Sequence, residues 1–163
     1  MKATISPCLW FDDQGEEAAR FYTGIFKNSR ITAISRYPDA GQEIHGKPAG
    51  SVMTVVFELD GQPFTALNGG PHFKFNEAIS LQIECETQEE IDYYSEKLGE
   101  GGDPEAQQCG WVKDKFGLSW QVVPKGIEEL MKDPDKEKVK RVFKAMLGMK
   151  KLNIAEVERA AKG

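Results

Sequence analysis

Cysteine is scarce in this chain of 163 residues: three, Cys8, Cys85 and Cys109, with the closest two 24 positions apart. That spacing excludes a CxxC motif or a zinc ribbon, and the odd count argues against a disulfide framework. Histidine is scarcer still, with only His45 and His72. Long apolar runs are missing; stretches such as Val55-Val56-Phe57 fall far short of the ~20 residues that span a bilayer. The start, Met1 to Pro7, has neither an apolar core segment nor a cleavage signature. The expected location is therefore the cytoplasm, with reduced thiols. Each cysteine reads first as a small buried hydrophobe, although a Cys–His pair with His45 or His72 stays open in principle.

Positive charge is in deficit. The net charge is −5, and residues 1–124 hold 10 basic against 19 acidic side chains. Such a body disfavours a phosphate-backbone ligand, which needs clustered cations. Residues 125–163 reverse the balance with 11 basic and 7 acidic side chains. Lysines there alternate with Asp133, Asp135 and Glu137, the pattern of a solvated helix face or a self-association surface. Neither a nucleic-acid nor a membrane partner is expected.

What the chain does contain is an internal repeat. Ile5-Ser6-Pro7-Cys8-Leu9-Trp10-Phe11 leads into an acidic turn and an amphipathic stretch carrying Phe21-Tyr22. Ile79-Ser80-Leu81-Gln82-Ile83-Glu84-Cys85 does the same, ahead of Tyr93-Tyr94. The offset is 74 residues in the strands and 72 at the aromatic pairs, so only the turn changes length. Each copy reads as strand, acidic cap, helix, with Asp12 or Asp13 and Thr87 as expected caps. Strands follow at 31–37, 51–59 and 64–67, with Asp60-Gly61 as a tight hairpin turn. In the second copy they are expected at 109–113 and 118–123, and a middle strand around 105–108 is poorly marked. The polar loops 38–50 and 100–107 are expected at the rim of a site or interface.

From Gly126 the pattern is helical. Ile127, Leu130 and Met131 make a short apolar face, and Val139, Val142, Phe143, Met146 and Leu147 recur at helical spacing. Asp133 is the expected N-cap of that helix with Pro134 at its first position, and a last helix around 155–161 would be capped by Asn153. The expected fold is α+β, two tandem βαβββ modules forming a curved mixed sheet, plus C-terminal helices. The expected organisation is one domain at 1–124, made of modules at about 1–70 and 75–124, and a helical extension at 125–163.

Tandem βαβββ modules resemble the vicinal oxygen chelate superfamily of glyoxalase I, extradiol dioxygenases, and fosfomycin and bleomycin resistance proteins. The chain is most similar to the PhnB-like branch, often labelled 3-demethylubiquinone-9 3-methyltransferase. The segments that carry the resemblance are Leu9-Trp10-Phe11-Asp12, Glu16-Glu17-Ala18, Leu67-Asn68-Gly69-Gly70-Pro71, Phe73-Lys74-Phe75-Asn76 and Cys109-Gly110-Trp111. They continue through the long motif Asp114-Lys115-Phe116-Gly117-Leu118-Ser119-Trp120-Gln121 and the tail Met149 to Ile154. The methyltransferase label does not fit the residues, because Gly99–Gly102 runs into Asp103-Pro104 instead of a helix after a parallel strand.

The resemblance also implies where metal ligands would fall. Those positions hold Ser6 (or Pro7), Ala78, Gln121 and the stretch from Thr65 to Asn68, none a carboxylate or imidazole. No metal and no other cofactor is therefore expected. Alternation along the strands gathers a cavity instead, with Ser6, Cys8, Trp10, Ser80, Gln82, Cys109, Trp111 and Gln121 as candidate lining, to which the resemblance adds the fourth-strand positions Thr65 and Asn68. Such a wall suits a small neutral or aromatic ligand. Binding or sequestration is favoured over turnover, since no carboxylate or histidine falls on that face. The alternative is an enzyme of the superfamily's lyase, isomerase or dioxygenase type, with Cys8 or Cys109 as nucleophile or a bound water as reagent. The resemblance further implies a homodimer, whether modules pair within one chain or exchange between two, with the 136–151 helix covering part of the joint.

Overall fold

The computed structural model describes residues 3–163. Met1 and Lys2, the first residues of the expected first module, lie outside the described residues. The chain divides into two compact units, Met1–Phe75 and Asn76–Gly163.

The first unit runs β1 (Cys8–Phe11), α1 (Gly15–Ile25), β2 (Arg30–Arg36), a single helical turn α2 (Gln42–His45), β3 (Val52–Leu59) and β4 (Gln62–Asn68). Its sheet has the order β1-β4-β3-β2, with β1 parallel to β4 and the other pairs antiparallel. This is the expected βαβββ module. Asp60 (φ 47°) and Gly61 (φ 82°) turn the β3–β4 hairpin, both left-handed as a two-residue primed turn requires. Alternation sends Leu9, Phe11, Val55, Phe57, Phe64 and Ala66 to one face, where α1 buries Ala18, Ala19, Tyr22 and Ile25. Cys8, Trp10, Val56, Thr65 and Leu67 occupy the open face. The α1 cap departs from expectation: neither Asp12 nor Asp13 supplies it. The amide of Gly15 is met from the sheet by Asn68 Oδ1 at 2.7 Å.

The second unit begins β5 (Ser80–Cys85), α3 (Gln88–Gly99), β6 (Trp111–Lys113) and β7 (Ser119–Pro124), in a sheet of order β5-β7-β6. Strand β5 is parallel to β7, and β6 is antiparallel to it. Thr87 caps α3 as its sequence suggests, its side chain accepting from the Glu90 amide at 3.2 Å. The poorly marked strand is absent. Pro104–Ala106 forms a 3₁₀ turn capped by Asp103, and pairing resumes only as an isolated bridge between Gln108 and Trp111. Pro104 has no amide to give a ladder, and Glu105 to Gln108 lack the apolar alternation that would bury one face. Cys109 also leaves the ladder, at φ 52°, and the 109 and 110 amides donate to the carbonyls of Met149 and Lys150 at 2.7 and 2.8 Å.

Three helices complete this unit: α4 (Ile127–Met131), α5 (Lys136–Leu147) and α6 (Ile154–Lys162). Asp135, not Asp133, caps α5, accepting from Glu137 and Lys138 at 3.1 Å. Asn153 caps α6 as expected. Val142, Met149, Leu152 and Val157 form a small core, and Cys109, Val123, Ile127, Leu130 and Met131 pack on it. The apolar stripe of α5 is therefore divided. Val142 is fully buried within its own chain, whereas Phe143 and Leu147 stay half exposed. Among the described residues no helix is long and apolar enough to cross a membrane.

Candidate functional site

Strand alternation in the second unit turns Leu81, Ile83, Cys85, Trp120 and Val122 one way and Gln82, Glu84, Gln121 and Val123 the other. The ladder places Gln82 beside Gln121 and Gln121 beside Trp111, so these three share the open face. Helices α4 and α5 stand over it. Between them lies a cavity of about 560 Å³, walled on the sheet side by Gln82, Glu84, Cys109, Trp111, Gln121 and Val123. Ile127, Met131, Phe143 and Met146 form the helical wall, and Lys125, Glu128, Glu129 and Lys132 carry its charge.

Of the ten residues expected to line a pocket, Gln82, Cys109, Trp111 and Gln121 come together here, and Ser80 adjoins them. Ser80 Oγ accepts from Gln121 Nε2 at 2.8 Å, which fixes the orientation of that amide. The other five belong to the first unit. Ser6 is exposed and precedes β1, while Cys8 and Thr65 sit side by side on the open face of the first sheet. Trp10 shares that face. Its indole donates to the Gly70 carbonyl at 2.8 Å and meets Phe73 edge-on at 4.9 Å. A Cβ on Gly69 would fall 2.2 Å from the Trp10 ring, so only glycine lets the indole settle there.

Asn68 is a correction. It is 5% exposed and lies on the helix side of the sheet, where Oδ1 accepts from Gly15 and Nδ2 donates to the Val52 carbonyl at 3.2 Å. An amide buried in that position serves the chain's own hydrogen bonds.

Glu84 is the residue that sequence reasoning missed, having placed no carboxylate on the cavity face. The alternation through Ser80 and Gln82 reaches it two residues on, so the signal was present. Phe143 and Met146, part of the apolar stripe expected at an interface, also line the cavity. Both ammonium groups in the lining face carboxylates: Lys125 lies 2.6 Å from Glu86 and Lys132 lies 3.4 Å from Glu128. The hydrogen bond from Lys125 holds the Glu86 carboxyl below its ordinary range. Burial pushes the Cys109 thiol up. Cys85, on the opposite face, is pushed up to about 11 by burial and then by the charge of Glu90.

The metal positions implied by the resemblance hold Ser6, Ala78, Gln121 and Thr65 to Asn68, and this donor set does not fit a divalent cation. Among the described residues no three His, Cys, Asp or Glu side chains converge. His45 Nε2 pairs with the Ala40 carbonyl at 2.9 Å and its Nδ1 accepts from the Lys47 amide, so the ring serves its own loop. His72 lies edge-on to Trp10.

Residues 3–123 match the model of the family described as 3-demethylubiquinone-9 3-methyltransferase. The chain belongs to that family. It is PhnB-like. A solved structure described as a 3-demethylubiquinone-9 3-methyltransferase, PhnB protein, from Bacillus cereus is 36% identical. That likeness covers 75% of this chain and 99% of the other, with a TM-score of 0.63. A Pseudomonas aeruginosa protein, 20% identical over 76% of this chain and 98% of its own, has a TM-score of 0.58 and shares the fold. No curated protein matches. The family match ends at residue 123, so Lys125 and the whole helical wall of the cavity lie beyond it.

Proposed function

We infer that this PhnB-like protein binds a small molecule in the cavity between the open face of β5–β7–β6 and helices α4 and α5, and that it holds its ligand without a metal. The observation that carries this reading is the wall itself: Trp111, Val123, Ile127, Met131, Phe143 and Met146 around two amides, in about 560 Å³. That volume and mixture suit a drug-sized molecule with a flat apolar body. Sequestration is favoured over turnover because burial pushes the Cys109 thiol up, which disfavours the thiolate that a nucleophile needs. Glu84 supports the second reading, an enzyme of the superfamily, since it supplies one carboxylate able to move a proton. Methyl transfer lacks support, as Gly99–Gly102 leads to a 3₁₀ turn and offers no glycine-rich helix start for the cofactor.

A homodimer and residence in the cytoplasm belong to the same proposal. Ile5 and Ile79, 92% and 59% exposed, stand just before the edge strands β1 and β5, and Phe143 and Leu147 remain open on α5. None of the three cysteines is in a disulfide. The binding reading is tested by titrating the protein with tryptophol, a neutral indole alcohol, and following backbone amide shifts. Shifts centred on Trp111, Gln121 and α5 support it. Shifts confined to the first unit, or none at millimolar tryptophol, reject it. Mass analysis of the recovered probe separates holding from turnover.

A further inference from the structure

Lys125 and Lys132, the lining cations, are both committed to carboxylates, Glu86 at 2.6 Å and Glu128 at 3.4 Å. The side-chain carboxylates of Glu84 and Glu129 line the same cavity, and among the described residues they accept no hydrogen bond and form no ion pair. Glu84 lies within the field of Lys125, but that ammonium donates to Glu86. Gln121 gives one of its two amide N–H groups to Ser80, and its carbonyl stays open. The unbalanced charge of the cavity is thus negative. A ligand complements that charge by bringing a positive one of its own. The aromatic faces of Trp111 and Phe143 favour the same sign, because their ring quadrupoles attract cations.

We propose that the cavity takes an organic cation, an amine or ammonium group carried on a flat apolar body. The charge meets Glu84 and Glu129 while the ring lies among Trp111, Phe143 and Met146. The idea rests on the reading of this cavity as a small-molecule site and names the class of molecule. It also revises the expectation of a neutral ligand, because that expectation did not count Glu84.

Three probes with one indole body and three charges test it: tryptamine, tryptophol and indole-3-acetate, titrated against the full chain with amide shifts as readout. Both carboxylates are solvent-exposed, so the electrostatic gain is modest, and tryptamine should bind about three- to tenfold more tightly than tryptophol. Indole-3-acetate should bind weakest. The gap should close in a Glu84→Gln, Glu129→Gln variant, whose exposed substitutions leave the fold intact, and should shrink at high salt. Equal binding of the three probes, a preference for the acetate, or a preference unchanged in the variant would overturn the proposal while leaving the cavity as a binding site. No shift at the cavity with any of them would overturn both.

Discussion

The indole N–H of Trp120 donates to Asp114 Oδ2 at 2.8 Å, and both residues are buried, each 2% exposed. The other carboxylate oxygen accepts from the amides of Phe116 and Leu118 at 2.9 and 3.1 Å. One aspartate therefore shapes the β6–β7 turn and anchors the strand that presents Gln121. In Asp114→Asn one of the two acceptor oxygens becomes a donor facing a donor. Stability should fall by about 1–3 kcal/mol, and further in Asp114→Ala, which leaves three donors unanswered. The urea midpoint measures this, with an unchanged slope showing that the loss is in the native state. An unmoved midpoint would show that this network does not hold the hairpin.

Asn68 makes the opposite kind of prediction, a cost with no effect on the site. Asn68→Ala removes the acceptor that caps α1 at Gly15 and the donor to Val52, so the melting temperature should drop with a loss of about 1–2 kcal/mol. Affinity for tryptamine in the second unit should stay within about twofold of the original, since each 1.4 kcal/mol is tenfold in an equilibrium constant and no contact is removed. Gly15→Ala should mimic the stability loss, because its Cβ would fall 2.7 Å from Asn68 Oδ1. A binding defect in Asn68→Ala would return this residue to the site.

These residues show where sequence reading works and where it stops. The βαβββ succession of the first unit, its Asp60-Gly61 hairpin turn and two of the helix caps were legible because alternation, turn chemistry and capping are local. Gln82, Gln121 and Trp111 could be grouped for the same reason, as neighbours on one face. Asn68 lies three residues from Thr65 in β4, so alternation sends it with Phe64 and Ala66 to the α1 face, away from the face that Thr65 shares with Cys8. The helical wall of the cavity was invisible as such. Nothing local to Phe143 or Met146 says whether an apolar stripe covers its own sheet or a second chain. The burial of Val142 and the backbone bonds of Cys109 and Gly110 to Met149 and Lys150 fold α5 back onto its own unit, and those bonds span some 40 residues.

Thiol reactivity should rank by environment. Cys8 is exposed, Cys109 is partly covered with its thiol pushed up, and Cys85 is buried and pushed up to about 11. At pH 8 a thiol of that kind is only about one part in a thousand thiolate, the reactive form. Ellman's reagent should therefore titrate one cysteine quickly, a second slowly and the third only after unfolding. Saturating tryptamine should slow the second, because Cys109 lines the cavity, and leave the first unchanged. Equal protection of both would place the probe elsewhere or assign it an indirect effect.

Acid should loosen the attachment of the C-terminal helices through one carboxylate. Asp92 Oδ1 lies 2.6 Å from Lys151 Nζ and accepts from Gln88 Nε2 at 3.0 Å. The same Gln88 donates to the Leu152 carbonyl and accepts from the Ile154 amide, so α3 is tied to the segment leading into α6. The hydrogen bond from Lys151, then that from Gln88, holds the Asp92 carboxyl below its ordinary value. A carboxyl lowered by folding stabilises fully above its unfolded pKa, about 3.9, and that support vanishes as pH falls through the lower folded value. The pair is half exposed, so the effect is small and is best read as a difference between proteins. The urea midpoint of the native chain should exceed that of Asp92→Asn from pH 8 down to about pH 5. Between about pH 4 and pH 2 the two should converge, because protonated aspartate and asparagine both lack the charge. A difference that persists or widens in acid would mean that the ion pair with Lys151 does not contribute, and that the neutral hydrogen bond to Gln88 alone holds the segment.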